Sequence, residues 1–166
     1  MMQGKSYPEK RKSWCRRFLS GILPCLVLAV MALPAGTAMA SDLQEDVLHC
    51  VNIEREAAGV PPLASSAALS EAAGVRAKEI GVVFAHQRPD GRTAKSALRE
   101  NNVSWFGENL AISSTPDASQ IVRAWSLNSP THRANLLNRH FTKMGVARVK
   151  HADGHYYWAQ EFSDNK

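Results

Sequence analysis

The sequence predicts an α+β domain in which helices cover an antiparallel sheet. Three observations carry this. Apolar residues recur at helical spacing from Leu43 to Ala58, and further helix patterns with caps and stops follow as far as Leu137. The period changes to alternation over 144–150 and again over 156–162. Between those two runs, Asp153-Gly154 is a hairpin turn signal.

The elements follow in order. Ser41-Asp42-Leu43-Gln44 has the pattern of a capping box opening a helix. Leu43, Val47, Cys50 or Val51, and Ala58 continue its apolar stripe, and Gly59 with Pro61-Pro62 stop it. A second, Ala-rich helix runs from about Ser66 to Ile80 and ends at Gly81. Residues 86–92 contain a Pro-Asp-Gly turn. A short helix is expected over 93–101, and a short strand or ordered loop over 103–111. Thr115-Pro116-Asp117 offers a cap with proline at the first helical position, ahead of Ile121, Val122 and Trp125. Ser129-Pro130-Thr131-His132 repeats that start and leads into Leu136 and Leu137. In the last strand Tyr156, Trp158, Gln160 and Phe162 share one face, and Tyr157, Ala159 and Glu161 the other.

The chain has 166 residues with 20 Lys+Arg against 15 Asp+Glu, a formal charge of +5. Such a balance invites a nucleic-acid reading, but the charges are unevenly placed. Lys5, Lys10, Arg11, Lys12, Arg16 and Arg17 precede an apolar run from Phe18 to Leu33, opposed only by Glu9. Ala38-Met39-Ala40 follows. This is the order of a secretory signal cleaved after Ala40, leaving one domain over 41–166. A membrane anchor is the alternative. The run only reaches the lower limit for a span, and Pro24 and Pro34 interrupt it. Export to the periplasm or the medium is therefore expected, with no membrane-spanning segment after cleavage.

Removing 1–40 leaves 20 − 6 = 14 basic and 15 − 1 = 14 acidic side chains. The mature chain is balanced, its basic residues are interspersed with acidic ones, and no nucleic-acid partner is expected. With Cys15 and Cys25 in the expected leader, no intramolecular disulfide is expected in the mature chain, and Cys50 reads as a buried apolar residue. Core packing must hold the domain, and its length allows that in a monomer.

Six histidines occur. His49 lies within the first helix, and His140, His151 and His155 belong to the surface around the hairpin. His86 and His132 sit at element boundaries beside rigid residues, where functional groups are held. The partial positive charge of a helix N-terminus disfavours protonation of His132. A neutral imidazole can bind a metal or accept a proton, or it can simply help cap its own helix. Glu108, between Gly107 and Asn109 in an apolar stretch, needs a cation or several N–H donors. His86, Glu108 and His132 together make a candidate two-histidine, one-carboxylate metal site. A nucleophile reading with Ser129 fails because Ser129 precedes proline as a helix cap. No Gly-x-Ser-x-Gly, CxxC, HExxH or glycine-rich phosphate loop occurs.

Several segments resemble one known pattern. They are Asn52-Ile53-Glu54-Arg55 with the stretch 59–63, the 84–92 segment Phe-Ala-His-Gln-Arg-Pro-Asp-Gly-Arg, and Gly107-Glu108-Asn109-Leu110-Ala111. Trp125 with the 129–137 segment Ser-Pro-Thr-His-Arg-Ala-Asn-Leu-Leu, Gly145-Val146, and the 157–162 segment complete it. In this order they are similar to bacterial members of the CAP superfamily (cysteine-rich secretory protein, antigen 5, pathogenesis-related), or SCP domain. The resemblance implies an α-β-α sandwich with a cleft. In many members two histidines and two acidic residues there can bind zinc or another divalent cation. By matching segments, His86, Glu108 and His132 are three of that group. The fourth, acidic position has no counterpart, with Asn128 or Ser129 nearest, so cation binding should be weak.

Two functional expectations follow. One is a secreted binding module whose cleft takes a divalent cation, a small apolar or lipid molecule, or a partner protein. The other is a metal-dependent hydrolase, with His86 and His132 holding the ion and Glu108 as ligand or base. The binding module is favoured, because the fold does not fix an activity.

Overall fold

The computed structural model describes residues 35–100 and 102–164, with side chains from Asp42 onward. The leader expected over 1–40 lies outside the described residues up to position 34, and 35–40 form the start of the first helix. The elements are α1 (Ala35–Ala57), β1 (Ala64–Ser65), α2 (Ala67–Glu79), a 3-10 turn (Ala94–Ala97), β2 (Phe106–Ser113), α3 (Ala118–Asn128), α4 (Pro130–Leu136), β3 (Lys143–Lys150) and β4 (Tyr156–Ser163). No helix among the described residues is long and apolar enough to cross a membrane.

The strands make one sheet in the order β1-β3-β4-β2. β4 pairs antiparallel with β2 and β3. The hairpin turn uses Gly154 at φ +87°, with the Gly154 N–H on the His151 carbonyl at 3.0 Å. The sheet is mixed and not antiparallel throughout. β1 joins β3 in parallel through Ala64↔Lys143 and Ser65↔Met144. A two-residue strand is too short to show a period.

Helices cover both faces. On one, Met144, Val146, Trp158 and Phe162 pack against Val47, Cys50 and Val51 of α1, Ile121, Val122 and Trp125 of α3, and Leu136 of α4. On the other, Leu110 and Ala159 meet Ala73, Ala77 and Ile80 of α2 and its C-terminal end. Leu69 and Ala72 pack there with Leu98 and Val103. Small residues let α2 lie close to the sheet. At Gly145 of β3 an added Cβ would sit 2.2 Å from the backbone of Leu69 and Ser70.

Local chemistry sets the helix ends. Ser66 caps α2, its Oγ accepting from the Leu69 N–H at 3.3 Å. Ser41 lies inside α1 and does not open it. Its expected capping-box partner Gln44 bridges layers instead. Gln44 Oε1 accepts from Val146 N–H at 2.9 Å and Ser70 Oγ at 3.0 Å, and Nε2 donates to the Met144 carbonyl at 3.3 Å. α3 starts after Asp117, not Thr115. Asp117 Oδ1 accepts from the N–H groups of Ser119 at 2.8 Å and Gln120 at 3.2 Å. A carboxylate both caps and complements the helix dipole, which threonine cannot do. The helix expected over 93–101 shrinks to the 3-10 turn, and the 103–111 stretch becomes β2, shifted two to three residues toward the C-terminus.

One buried charge anchors α1. Arg55 is 0% exposed and donates to four carbonyls: Pro61 at 2.7 Å, Leu136 at 2.8 Å, Asn138 at 3.0 Å and Phe141 at 3.1 Å. It ties α1 to the loop behind it and to the α4–β3 connection, fixing where α4 presents His132.

Candidate functional site

Glu108 points from β2 toward α2 and is 7% exposed. A carboxylate so buried needs partners, and it has two. Arg76 of α2, 0% exposed, donates from Nε to Oε2 at 2.7 Å. His86 Nδ1 lies 2.8 Å from Oε1. Burial works against the Arg76 charge, but hydrogen bonds to Glu108 and Glu79 outweigh it and hold its pKa above the ordinary value.

The same arginine builds the loop that carries His86. Its Nη2 donates to the Ala85 carbonyl at 2.6 Å and the His86 carbonyl at 3.3 Å. Its Nη1 reaches Glu79 at 2.7 Å, and Glu79 receives Arg88 at 2.6 and 3.0 Å. These hydrogen bonds, Arg88's first, keep the Glu79 carboxyl below its usual range against the opposing effect of burial. An antiparallel bridge between Gln87 and Thr93 closes the turn, with Gly91 at φ +82°. No sequence motif marks Arg76, Glu79 or Arg88 as site residues. The available signal was periodicity: Arg76 stands seven residues after Leu69 and four after Ala72, on the apolar stripe of α2, where a charge demands a partner.

His132 arrives from the other layer. Ser129 caps α4, its Oγ accepting from the His132 N–H at 3.3 Å. Amides dock the helix on β2. Asn135 Nδ2 donates to the Glu108 carbonyl at 3.1 Å and to Asn109 Oδ1 at 2.9 Å. Asn109 Nδ2 in turn contacts Gln160 Oε1 at 3.2 Å and the His132 carbonyl at 3.3 Å. Burial, and then the neighbouring His86, lower the His132 pKa below 6.5. His132 is thereby kept in the neutral form at pH 7.

A second buried carboxyl stands beside Glu108. Glu161 of β4 is its register partner, is 0% exposed, and has no donor to either oxygen among the described residues. Burial, and then the charge of Glu108, raise its pKa well above the carboxylate range. The protonated acid can donate to Glu108, so the two do not repel as paired anions.

The structure thus joins His86 to Glu108 directly and brings His132 within electrostatic reach of His86. No group of three or more His, Cys, Asp or Glu side chains among the described residues converges closely enough to hold a metal ion. The imidazoles of His86 and His132 are the neutral donors that a divalent cation would need here. Glu108 contacts the Nδ1 of His86, so Nε2 is the ring's other donor atom, on a side chain that is 65% exposed. Of the two residues nearest the missing acidic position, Ser129 is occupied as a cap, and Asn128 ends α3. The remaining histidines vary. His49 and His155 are exposed, His151 packs over Gly81, and His140 stacks on Trp105 at 3.8 Å between ring centres. A groove of about 480 Å³ opens beside His86 and Glu108, lined also by Arg92, Ala94, Lys95 and Phe106.

The CAP pattern, the Cysteine-rich secretory protein family, matches residues 48–162. The Bacillus subtilis protein YkwD is 32% identical over 127 residues, covering 74% of this chain and 47% of its own length. The chain thus spans about half of that curated relative. An extracellular SCP-domain protein from Bacillus anthracis superposes with a TM-score of 0.68 at 25% identity, over 82% of this chain and 45% of that one. An outer surface protein from Borrelia burgdorferi gives 0.60 at 22% identity, over 79% and 92%. Sequence, α-β-α layering and relatives agree, and the chain belongs to the CAP superfamily in its bacterial form.

Proposed function

We propose that this chain is an exported CAP-domain binding module whose cleft takes a divalent cation on His86 and His132, with Glu108 orienting His86. The observation that carries the reading is the 2.8 Å contact between His86 Nδ1 and Glu108 Oε1. A carboxylate on one ring nitrogen fixes the tautomer and raises the basicity of the other, the usual support for a metal-binding imidazole. The lowered pKa of His132 supplies a second neutral donor at pH 7. A bound cation would add positive charge and an open position for a ligand oxygen.

The hydrolase reading has less support. Both oxygens of Glu108 are engaged, by Arg76 and His86, which suits an orienting group better than a base. Export rests on the basic and apolar leader and its Ala38-Met39-Ala40 site, and the Bacillus anthracis relative described as extracellular is consistent with it. Titration calorimetry with zinc at pH 7.5 and 5.5 tests the site. Binding should be weak at pH 7.5 and absent at 5.5. Equal heats from the wild type and the His86→Ala/His132→Ala protein would sink the reading.

A further inference from the structure

The groove beside His86 is lined on one side by Phe106, Gly107 and Glu108 of β2, and β2 is an edge strand. β2 ends the sheet, with β4 on one side only. The register alternates hydrogen-bonded and open pairs. The Asp164 N–H bonds the Trp105 carbonyl, so Phe106, Glu108, Leu110 and Ile112 turn their N–H and C=O groups away from β4. The protein answers part of this edge itself. Asn135 takes the Glu108 carbonyl at 3.1 Å, and Trp125 takes the Leu110 carbonyl at 3.4 Å. The N–H and C=O of Phe106 and the N–H of Glu108 have no partner among the described residues, and both residues line the groove.

We infer that the groove takes a short extended peptide carrying an acidic side chain, added as a strand to the edge of β2 between Phe106 and Glu108. Two donors and one acceptor spaced along an open strand edge match another backbone, and three hydrogen bonds are the most the edge can give before Asn135 closes it. Charge selects the side chain. The charged residues lining the groove are Arg92 and Lys95 against Glu108, a balance of 2 − 1 = +1 with His86 neutral. Glu108 is already paired with Arg76, and Arg92 with Asp90, so Lys95 is the cation left for a ligand. Lys95 spends one of its ammonium hydrogens on the Val103 carbonyl at 2.6 Å, leaving two for a ligand carboxylate. Phe106 and Ala94 supply an apolar wall for the neighbouring side chain.

The test uses acetyl-Thr-Val-Glu-Val-Thr-amide, the same peptide with lysine for glutamate, and a form N-methylated on alternate amides. All are titrated into the protein in EDTA, so that failure of the cation site leaves the result untouched. Amide resonances and hydrogen exchange are followed at Phe106 and Glu108. The acidic peptide should slow exchange at these two amides, the lysine peptide should bind about tenfold more weakly, and N-methylation should abolish binding. Lys95→Glu should reverse the preference, with Arg92→Glu as a second variant should Lys95→Glu fail to melt cooperatively. Unperturbed amides at millimolar peptide, equal binding of the N-methylated form, or unchanged preference in a folded charge-reversed variant would each overturn the inference.

Discussion

His86 Nδ1 lies 2.8 Å from Glu108 Oε1, although 22 residues separate them in the chain. The exposures of the two side chains are opposite, 65% for His86 and 4% for Glu108. The imidazole is thus a surface group steered by a buried charge. Arg76 holds that charge in place from behind, and Arg76 is in turn held by Glu79. The cleft is a chain of paired charges running from core to solvent.

That arrangement separates a ligand from an orienting group. Glu108→Gln should weaken zinc binding by about 10- to 100-fold, the effect of losing an outer partner. His86→Ala should abolish it. Calorimetry of both variants at pH 7.5 makes the comparison. Equal loss in the two would place Glu108 on the metal itself.

Arg76 should dominate the stability of this corner. Arg76→Met leaves Glu108 without its cation in the core and removes one of the two arginines on Glu79. Breaking a buried pair from one side costs about 3–5 kcal/mol. Urea unfolding should show a loss of that order, and limited proteolysis should cut the 84–92 loop faster than in wild type. A loss within about 1 kcal/mol would mean that the pairing is a surface one in energetic terms.

Glu161 gives a stability difference whose sign can be worked out. Its unfolded pKa is near 4.5 and its folded pKa is raised well above it. Between the two values the native state binds the extra proton, so stability falls as pH rises. The contribution is fully present below pH 4.5 and is lost as pH climbs through the folded pKa. Wild type gives up about 1.4 kcal/mol per pH unit in that window. Glu161→Gln keeps a hydrogen-bond donor without the proton requirement. Its stability relative to wild type should therefore increase from pH 4.5 to 7.5 in urea melts. A flat difference would show that Glu161 is ionised in the fold.

Gly145 is a packing requirement. Gly145→Ala places a methyl group 2.2 Å from the backbone of Leu69 and Ser70, where no side chain can swing aside. Overpacking of this kind costs about 1–3 kcal/mol, and a thermal melt should register a loss near the upper figure. Unchanged melting would mean that α2 can lift from β3 freely.

Much of this is legible in the sequence. Trp158 and Phe162, four residues apart among alternating neighbours, did fall on one face, and Ser129-Pro130 did open a helix. Legibility failed where a residue's role depends on another layer. Gln44 reads as half of a capping box by local pattern, yet it bonds Val146 and Met144 some hundred positions away. Glu161 reads as one of an alternating set, yet both faces of β4 are covered and it is 0% exposed. Arg76 sits on the apolar stripe of α2, but its partners Glu108 and Glu79 are fixed only when α2 is laid on the sheet.

The sequence by itself determined the layout: capped helices, a closing β-hairpin, the family pattern, and the three candidate side chains His86, Glu108 and His132. Local interactions encode those, because caps, turns and periodicity act over a few residues. Tertiary structure alone decided what the three side chains do to one another. Glu108 meets Arg76 across 32 residues and His86 across 22, while His132 comes from the opposite layer. A buried carboxylate takes whichever donors the packing brings within about 3 Å, and only the packed layers determine which donors those are.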